Sequence, residues 1–213
     1  MRIIGGEWRG RKIEEPRGRD VTRPTTDRVR EACASMVMSA FDFDLDEVRV
    51  LERLWRLRRL GIEMLSRGAR SLTTFEIDRN AARLITKNIE SLCRDRSRWR
   101  VVTGDVLASA SRGRVPGGPF DLILLDPPMP LAPSRSRSCC KIFPSRDCCA
   151  RAFALFEHAA ADAGAHPACF KTVREKRYGI TSVDLLRSVA EDENDHADEN
   201  ENDEDVPSED THE

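Results

Sequence analysis

Four acidic side chains follow or close apolar segments of this sequence, and they are the residues best placed for chemistry. They are Glu52, Glu76, Asp105 and Asp126. Carboxylates in such positions can accept hydrogen bonds from hydroxyl or amino groups of a ligand. A single acid of this kind would more simply cap the helix that follows it. Because four of them recur at successive segment ends, we predict that they line one ligand site.

The strongest individual signal is the sequence LLDPP at 124–128. An apolar strand brings Asp126 to the edge of the predicted sheet, and two prolines then end the strand and stiffen the turn. This arrangement fixes a carboxylate and a carbonyl oxygen at the mouth of a pocket. Two fixed acceptors can hold an exocyclic amino group and aim its nitrogen at an electrophile. We therefore assign Asp126, Pro127 and Pro128 to the catalytic site.

The other three acids occupy positions from which side chains can bind a nucleoside cofactor. Glu76 follows the second apolar segment, where an acid can accept hydrogen bonds from both ribose hydroxyls of a nucleoside cofactor. Asp105 follows Thr103 and Gly104 and can accept a hydrogen bond from an adenine amino group. Glu52 supplies an acid at the end of the first segment. We assign Glu52, Glu76 and Asp105 to cofactor binding.

Strand and helix patterns alternate along the part of the chain that carries these acids. The predicted strands are 48–52, 71–78, 99–105, 120–128 and 152–159, with a final strand pair at 169–179 and 180–189. The predicted helices are 60–67, 79–92 and a helix from Thr26 or Asp27 to about Phe41. Such alternation indicates βαβ units and a mostly parallel sheet. Ligands of open sheets bind beyond the carboxyl ends of the strands.

The charge of the chain is divided unevenly. The formal net charge is −2 over 213 residues, a length that suits one domain with a tail. Residues 190–213 contain 13 acids and no lysine or arginine, which leaves 35 basic and 24 acidic residues in 1–189. A basic body with an acidic tail predicts a polyanionic partner. The simpler alternative is that the arginines form a solvated surface without a specific partner. The tail, which is disordered by composition, would then only increase solubility.

The seven cysteines predict a reducing compartment rather than a disulfide framework. Their number is odd, the N-terminus has no apolar signal segment, and no apolar run approaches the length of a membrane span. We expect a cytoplasmic protein. A zinc-dependent nucleic-acid-binding module, with four of the cysteines as zinc ligands, is the alternative. Adjacent cysteines chelate one ion poorly, however, and we expect no metal. The four are Cys139, Cys140, Cys148 and Cys149.

The Asp-Pro-Pro sequence resembles the (D/N)PP(Y/F) motif of S-adenosylmethionine-dependent methyltransferases that modify exocyclic amines of bases. The segments MRIIGGEWRGRKI, TRPTTDRVREA and LGIEMLSRGA resemble a narrower group, the bacterial 16S rRNA guanine-N2 methyltransferases of the RsmD family. The segments FEIDRNAARLITKNIE, FDLILLDPP and FEHA with KRYG continue the likeness. The resemblance covers roughly 1–54, 60–129 and 150–188.

This resemblance implies an α/β fold with a Rossmann-like class I methyltransferase sheet, mostly parallel with an antiparallel C-terminal strand pair. It implies S-adenosylmethionine as cofactor, with Glu76 on its ribose and Asp105 on its adenine. Asp126 and Pro127 would orient the guanine amine, and no metal is needed. The implied partner is 16S rRNA or the assembling small ribosomal subunit, met by a monomer.

The resemblance also implies RNA contacts in the N-terminal part of the chain. We expect them from basic and hydroxyl side chains of its two motifs, although helix capping and a solvated basic face would explain the same residues. They are Arg9, Arg11, Arg23, Thr25, Arg28 and Arg30. We divide the chain into a basic extension with one helix at 1–45, a Rossmann-like domain at 46–189 and an acidic tail at 190–213.

The sequence departs from the family where the glycine loop belongs. The family pattern is approximately D-x-F-A-G-S-G-A-L-G, and residues 52–61 read ERLWRLRRLG. Glycines in that loop let the backbone approach the cofactor and adopt positive φ. Arg56 and Arg58 stand where two of them belong, and their side chains would fill the space of the methionine moiety. The loop at 52–60 is therefore disrupted, and a catalytically inactive RNA-binding homologue is an alternative to the enzyme.

A second departure lies at 129–150, which has no helical or strand period. Met129 stands where the family has an aromatic residue that stacks on the base, and methionine covers a ring less rigidly. Compensating frameshifts would account for both departures. Codons for Gly-Ser-Gly, read in a shifted frame, give runs such as Arg56 to Arg59, and shifted leucine codons give cysteine pairs. Resequencing the gene distinguishes such shifts from a true protein sequence.

Overall fold

The computed structural model describes residues 1–15, 27–53, 60–113, 115–125, 152–160 and 170–189. In these ranges the strands are β1 Arg49–Arg53, β2 Ser71–Glu76, β3 Trp99–Thr103, β4 Leu122–Leu125, β5 Phe153–Ala159, β6 Phe170–Tyr178 and β7 Thr181–Ser188. The helices are α1 Asp27–Ala40, α2 Leu60–Ser66, α3 Arg79–Leu92 and α4 Val106–Ala110, with a 3-10 turn at Arg96–Arg98. The predicted elements are all present within a few residues, and α4 is an addition.

The seven strands form one sheet in the order β3-β2-β1-β4-β5-β7-β6. The first five strands in that order are parallel, and β7 pairs in antiparallel fashion with both β5 and β6. The prediction of an α/β Rossmann-like sheet with an antiparallel C-terminal strand pair is confirmed. The chain order reverses between β1 and β4, which is the switch point where such sheets bind ligands.

The central strands are apolar because both faces of the sheet are covered. All four residues of β4 are buried, as expected of a parallel strand between two layers. Val50 packs into a first core that contains side chains of α1, α2 and α3. Its neighbour Leu51 packs into a second core on the other face, with Phe75 and Phe120. Alternation along β1 therefore places successive side chains in different cores.

The N-terminal segment belongs to the first core. Ile3, Trp8 and Ile13 are buried there, and a β-bridge joins the two arms of the segment. The backbone N–H of Trp8 donates to the hydroxyl of Ser66 over 3.0 Å, and the N–H of Glu7 donates to the Ser66 carbonyl over 2.7 Å. Residues 1–15 are therefore docked on the carboxyl end of α2, the helix that follows the disrupted loop.

Candidate functional site

The carboxyl ends of the central strands are level with one another. Arg53, the last residue of β1, pairs with Phe75 in β2 and with Leu125 in β4. Glu76 then closes β2. Asp126 follows Leu125 directly in the sequence, but Asp126, Pro127 and Pro128 lie outside the described residues. The described strand ends place Leu125, the residue before Asp126, beside Arg53 at the end of β1.

Glu52 is buried, with 4% of its surface exposed, and its carboxylate contacts the protein backbone across the disrupted loop. Its Oε1 accepts a hydrogen bond of 2.8 Å from the N–H of Gly61, and the Thr74 hydroxyl donates to Oε2 over 3.4 Å. A methyl group on Gly61 would lie 2.7 Å from Glu52 Oε2 and 2.6 Å from Leu72 Cδ1. Glu52 and Gly61 therefore fix the two ends of the span 54–59, which itself lies outside the described residues.

Glu76 is 8% exposed at the end of β2. Its Oε1 accepts a hydrogen bond of 2.8 Å from the N–H of Asp78, and its carbonyl oxygen accepts one of 2.9 Å from the N–H of Gly104. Asp78 in turn accepts a hydrogen bond from Ala81 and caps α3. These bonds set the orientation of the Glu76 carboxylate and tie the ends of β2 and β3 together.

Asp105 caps α4, so the simpler interpretation of an acid at a strand end is correct for this residue. Its Oδ1 accepts a hydrogen bond of 2.9 Å from the N–H of Leu107. Gly104, directly before it, has a φ of 156°, and the position of its absent Cβ opens to free space. Glu76 and Asp105 thus place two acceptors beside an open stretch of backbone at adjacent strand ends.

The predicted RNA-binding residues separate into three groups. Arg9, Arg11 and Arg28 are exposed. The guanidinium of Arg11 also donates to the carbonyl oxygen of Ser91 over 2.5 Å, which ties the N-terminal segment to α3. Arg23 and Thr25 lie outside the described residues.

The prediction for Arg30 is wrong, because this side chain is only 3% exposed. Its Nη2 donates to Asp27 Oδ1 over 2.7 Å and to the carbonyl oxygen of Arg2 over 3.1 Å. Its Nη1 lies 3.5 Å from Glu63 Oε1. The face of α1 that carries Arg30 packs against the N-terminal segment and α2, so this arginine stabilises the protein from inside.

Glu63 is the main structural residue that the sequence analysis missed. It is 1% exposed in α2 and accepts hydrogen bonds from the N–H groups of Ile4, at 2.7 Å, and Gly5, at 3.2 Å. Burial raises the pKa of Glu63 above its usual value, and those hydrogen bonds and the charges of Arg30 and Arg67 oppose the rise. A charge within the otherwise apolar helix LGIEMLS was the available signal.

A buried pair near the same sheet edge was also missed. Nε2 of His158 lies 2.9 Å from Oδ2 of Asp184, and both side chains are buried. The imidazole stacks on the ring of Phe156, with 5.5 Å between ring centroids. Because Phe156 pairs with Leu125, His158 lies two residues farther along β5 toward the predicted catalytic motif. The pairing joins β5 to β7 over 26 residues, and a single sequence carries no signal for it.

Comparison with known proteins gives this architecture a family. The family described as "Conserved hypothetical protein 95" matches residues 1–187. The chain belongs to this family. A relative from Escherichia coli strain K12, named "Ribosomal RNA small subunit methyltransferase D", is 34% identical over 128 residues. That alignment spans 60% of this chain and 60% of the relative's length. The resemblance to the RsmD family is confirmed.

Solved structures of similar proteins share the sheet. A putative methyltransferase from Escherichia coli, yhhF, is 27% identical with a TM-score of 0.71, covering 89% of this chain and 98% of the other. Magnesium protoporphyrin IX methyltransferase from Synechocystis PCC 6803, with bound SAM, is 14% identical with a TM-score of 0.56. It covers 81% of this chain and 86% of the other, and the likeness concerns the fold alone. The fold is that of class I methyltransferases, as predicted.

The described residues contain neither a helix that could span a membrane nor a cluster of side chains suited to a metal ion. Their helices are too short and too polar for any of them to cross a membrane. They also contain no group of three or more histidine, cysteine, aspartate or glutamate side chains suited to a metal ion. The four cysteines of the zinc alternative lie outside the described residues.

Proposed function

We propose that this protein transfers a methyl group from S-adenosylmethionine to the exocyclic N2 of a guanine in 16S rRNA. The observation that carries the proposal is the strand register, in which Arg53 pairs with Leu125 and the Asp-Pro-Pro motif follows at once. In the sequence the motif follows β4, which borders the switch point of the sheet and is three strands from β3. Family membership supports methyl transfer to small-subunit rRNA, because the relative from Escherichia coli is named "Ribosomal RNA small subunit methyltransferase D".

The cofactor would be held at the ends of β1, β2 and β3. Glu76 accepts hydrogen bonds from the ribose hydroxyls, and Asp105 offers its second oxygen to the adenine amino group while Oδ1 caps α4. Glu52 acts by positioning, because it holds the start of α2 through Gly61. The cofactor supplies an electrophilic methyl group on a sulfonium.

Orientation of the guanine is the task of the catalytic motif. The carboxylate of Asp126 and the carbonyl oxygen of Pro127 accept hydrogen bonds from the two N–H groups of the amine. The nitrogen is thereby held in line with its electrophile, and this gain from proximity needs no metal. Pro128 stiffens the turn that carries both acceptors.

A second candidate function follows from the replaced loop. Arg56 and Arg58 stand where the family has glycines, and a side chain there competes with the methionine moiety for space. Cofactor binding would then be weak, and the basic body at 1–189 would leave a protein that binds RNA without modifying it. Both functions place the chain in the cytoplasm beside 16S rRNA or the assembling small subunit.

The deciding experiment compares methyl transfer by two forms of the full chain. In the second form, AGSGA replaces residues 55–59 through Trp55→Ala, Arg56→Gly, Leu57→Ser, Arg58→Gly and Arg59→Ala. Both receive labelled S-adenosylmethionine and small ribosomal subunits that lack the modification. We expect methyl transfer at guanine N2 by the restored form, and its loss when Asp126→Ala is added.

The two candidate functions give different results in that comparison. Transfer by the unaltered chain as well would show that the arginines are tolerated. Transfer by the restored chain alone would make the unaltered chain the inactive RNA-binding homologue. Absence of transfer by both forms, with calorimetry showing that the restored form binds S-adenosylmethionine, would reject the proposed substrate.

A further inference from the structure

Strand β6 carries an unusual run of exposed residues at one edge of the sheet. Seven consecutive residues, 171–177, are exposed, although the strand pairs with β7 along its length. Four of the seven are basic and one is acidic. The basic residues are Lys171, Arg174, Lys176 and Arg177. None of them belongs to the sites described above.

A β-bulge determines which of these side chains share a face. The register shifts between Thr172 and Arg174, and beyond the shift Arg174 pairs with Leu185 and Lys176 pairs with Val183. Leu185 and Val183 both pack into the first core. Because paired residues of antiparallel strands point to the same face, Arg174 and Lys176 lie on the side of the sheet that α1 covers.

An aromatic side chain lies beside Lys176. Tyr178 lies on the same face of β6 and packs against the first core. The Lys176 ammonium is 5.8 Å from the centre of the Tyr178 ring. We call Arg174 and Lys176 the basic row.

Lys176 lies near the level at which β4 ends. Lys176 pairs with Val183, and Val183 pairs with Glu157 of β5. Glu157 directly follows Phe156, whose partner is Leu125. Lys176 is thus one residue beyond the level of Leu125, the last residue of β4, three strands away. At about 4.8 Å for each strand spacing, that distance is about 14 Å across the sheet.

We propose that the basic row binds phosphates of the RNA strand that flanks the target guanine. This inference rests on the proposed function, since it assumes that the target enters at the end of β4. Arginine and lysine bind phosphates through charge-assisted hydrogen bonds, and such contacts fix the register of a nucleic acid without reading its sequence. The edge position leaves these side chains accessible to a large polyanion.

The test compares two double variants of the full chain. Arg174→Gln with Lys176→Gln removes two charges from the basic row. Arg94→Gln with Arg100→Gln removes two exposed charges near β3, at the other edge of the sheet. Binding to a small-subunit rRNA transcript is measured without cofactor over a range of salt concentrations, and far-UV circular dichroism checks the fold of each variant.

We expect the first variant to lower the slope of log affinity against log salt by about 1.4, since each single-strand phosphate contact contributes about 0.7. The second variant should leave the slope unchanged. Arg174→Lys keeps the positive charge and should leave the slope nearly unchanged. Because cofactor is absent, these results hold whether or not the chain transfers methyl groups.

Four results would overturn the inference. An equal fall in the salt slope for both double variants would mean that these residues attract RNA through overall positive charge, without phosphate contacts at the basic row. An unchanged slope with new self-association of the first variant would mean that the charges only protect a sheet edge from pairing. Binding of the row to vesicles of phosphatidylglycerol, with no effect on RNA, would assign it to a membrane surface. If the Arg174→Gln, Lys176→Gln variant transfers methyl groups and keeps the salt slope of the unaltered chain, the role of the basic row is rejected and the proposed function is unaffected.

Discussion

The carboxylate of Glu52 accepts a hydrogen bond of 2.8 Å from the backbone N–H of Gly61, across the span whose glycines are replaced. The bond joins the end of β1 to the first turn of α2, and Thr74 in β2 donates to the same carboxylate. The segment 54–59 is therefore flanked by residues that these hydrogen bonds hold. Replacement of residues 55–59 by AGSGA leaves Glu52 and Gly61 unchanged.

Replacement of Glu52 should destabilise the protein in proportion to the acceptors it removes. Glu52→Ala takes the acceptor from the Gly61 N–H and from the Thr74 hydroxyl, and we expect a loss of roughly 2–6 kcal/mol in the free energy of unfolding. Glu52→Gln keeps an oxygen for Gly61 and should lose about 1 kcal/mol. Urea unfolding measures both. Equal losses would show that charge, rather than these two hydrogen bonds, determines the effect.

Two glycines of the N-terminal segment share a positive φ but differ in the space around them, so each serves as a control for the other. Gly6 has a φ of 75°, and a methyl group there would overlap the backbone carbonyl of Ser66. Gly10 has a φ of 83°, but no atom lies within 4 Å of its absent Cβ. We expect Gly10→Ala to cost roughly 1–2 kcal/mol for its backbone alone, and Gly6→Ala roughly 2–5 kcal/mol. Thermal unfolding compares them. A Gly6→Ala protein no less stable than Gly10→Ala would contradict the close docking on α2.

Glu63 should make stability depend on pH in a direction opposite to that of a carboxylate whose pKa is lowered in the folded protein. Burial raises its pKa in the folded protein above the usual 4.5, so the folded state holds more protons than the unfolded chain above that pH. The stability that Glu63 contributes is fully present below pH 4.5 and falls as the pH rises through the folded pKa. The difference in unfolding free energy between the natural protein and Glu63→Gln should therefore decline from pH 4.5 upward.

The contribution of Asp27 to stability changes in a different pH range from that of Glu63, because its pKa is lowered and not raised. A hydrogen bond from Arg30 lowers the Asp27 pKa below 3.8, so its contribution is lost only as the pH falls below that value. Urea titrations between pH 4.5 and 8 therefore report Glu63 without interference from Asp27. A difference that grows with pH in this range would contradict the burial of the Glu63 carboxylate.

Asp105→Asn should separate the cap of α4 from the proposed adenine contact. Asparagine is as good an N-cap as aspartate, so the unfolding free energy should change by less than about 0.5 kcal/mol. The remaining group is then an NH2 donor, which faces the adenine amino group unfavourably. In the form with AGSGA at 55–59, calorimetry should show S-adenosylmethionine bound about tenfold more weakly. An unchanged affinity would assign Asp105 to capping alone.

The local elements could be predicted from the sequence because their signals are local. Apolar runs and helical spacing depend on neighbouring residues, and the predicted strand at 71–78 differs from β2 only in its end. It stops at Glu76 because Asp78 accepts a hydrogen bond from Ala81 and begins α3. The acids at the strand ends were found for the same reason, since the end of an apolar run is visible in the chain itself.

The tertiary structure alone decided which charges lie inside. Arg28 and Arg30 are two residues apart in one motif, yet Arg28 is exposed and Arg30 is buried against Asp27 and Glu63. Their fates differ because the N-terminal segment and α2 cover one face of α1, and those partners lie far away in the sequence. The basic row likewise depends on strand order, which makes β6 the edge of the sheet. The sequence determined the elements and the family, and long-range packing determined what each charged side chain contacts.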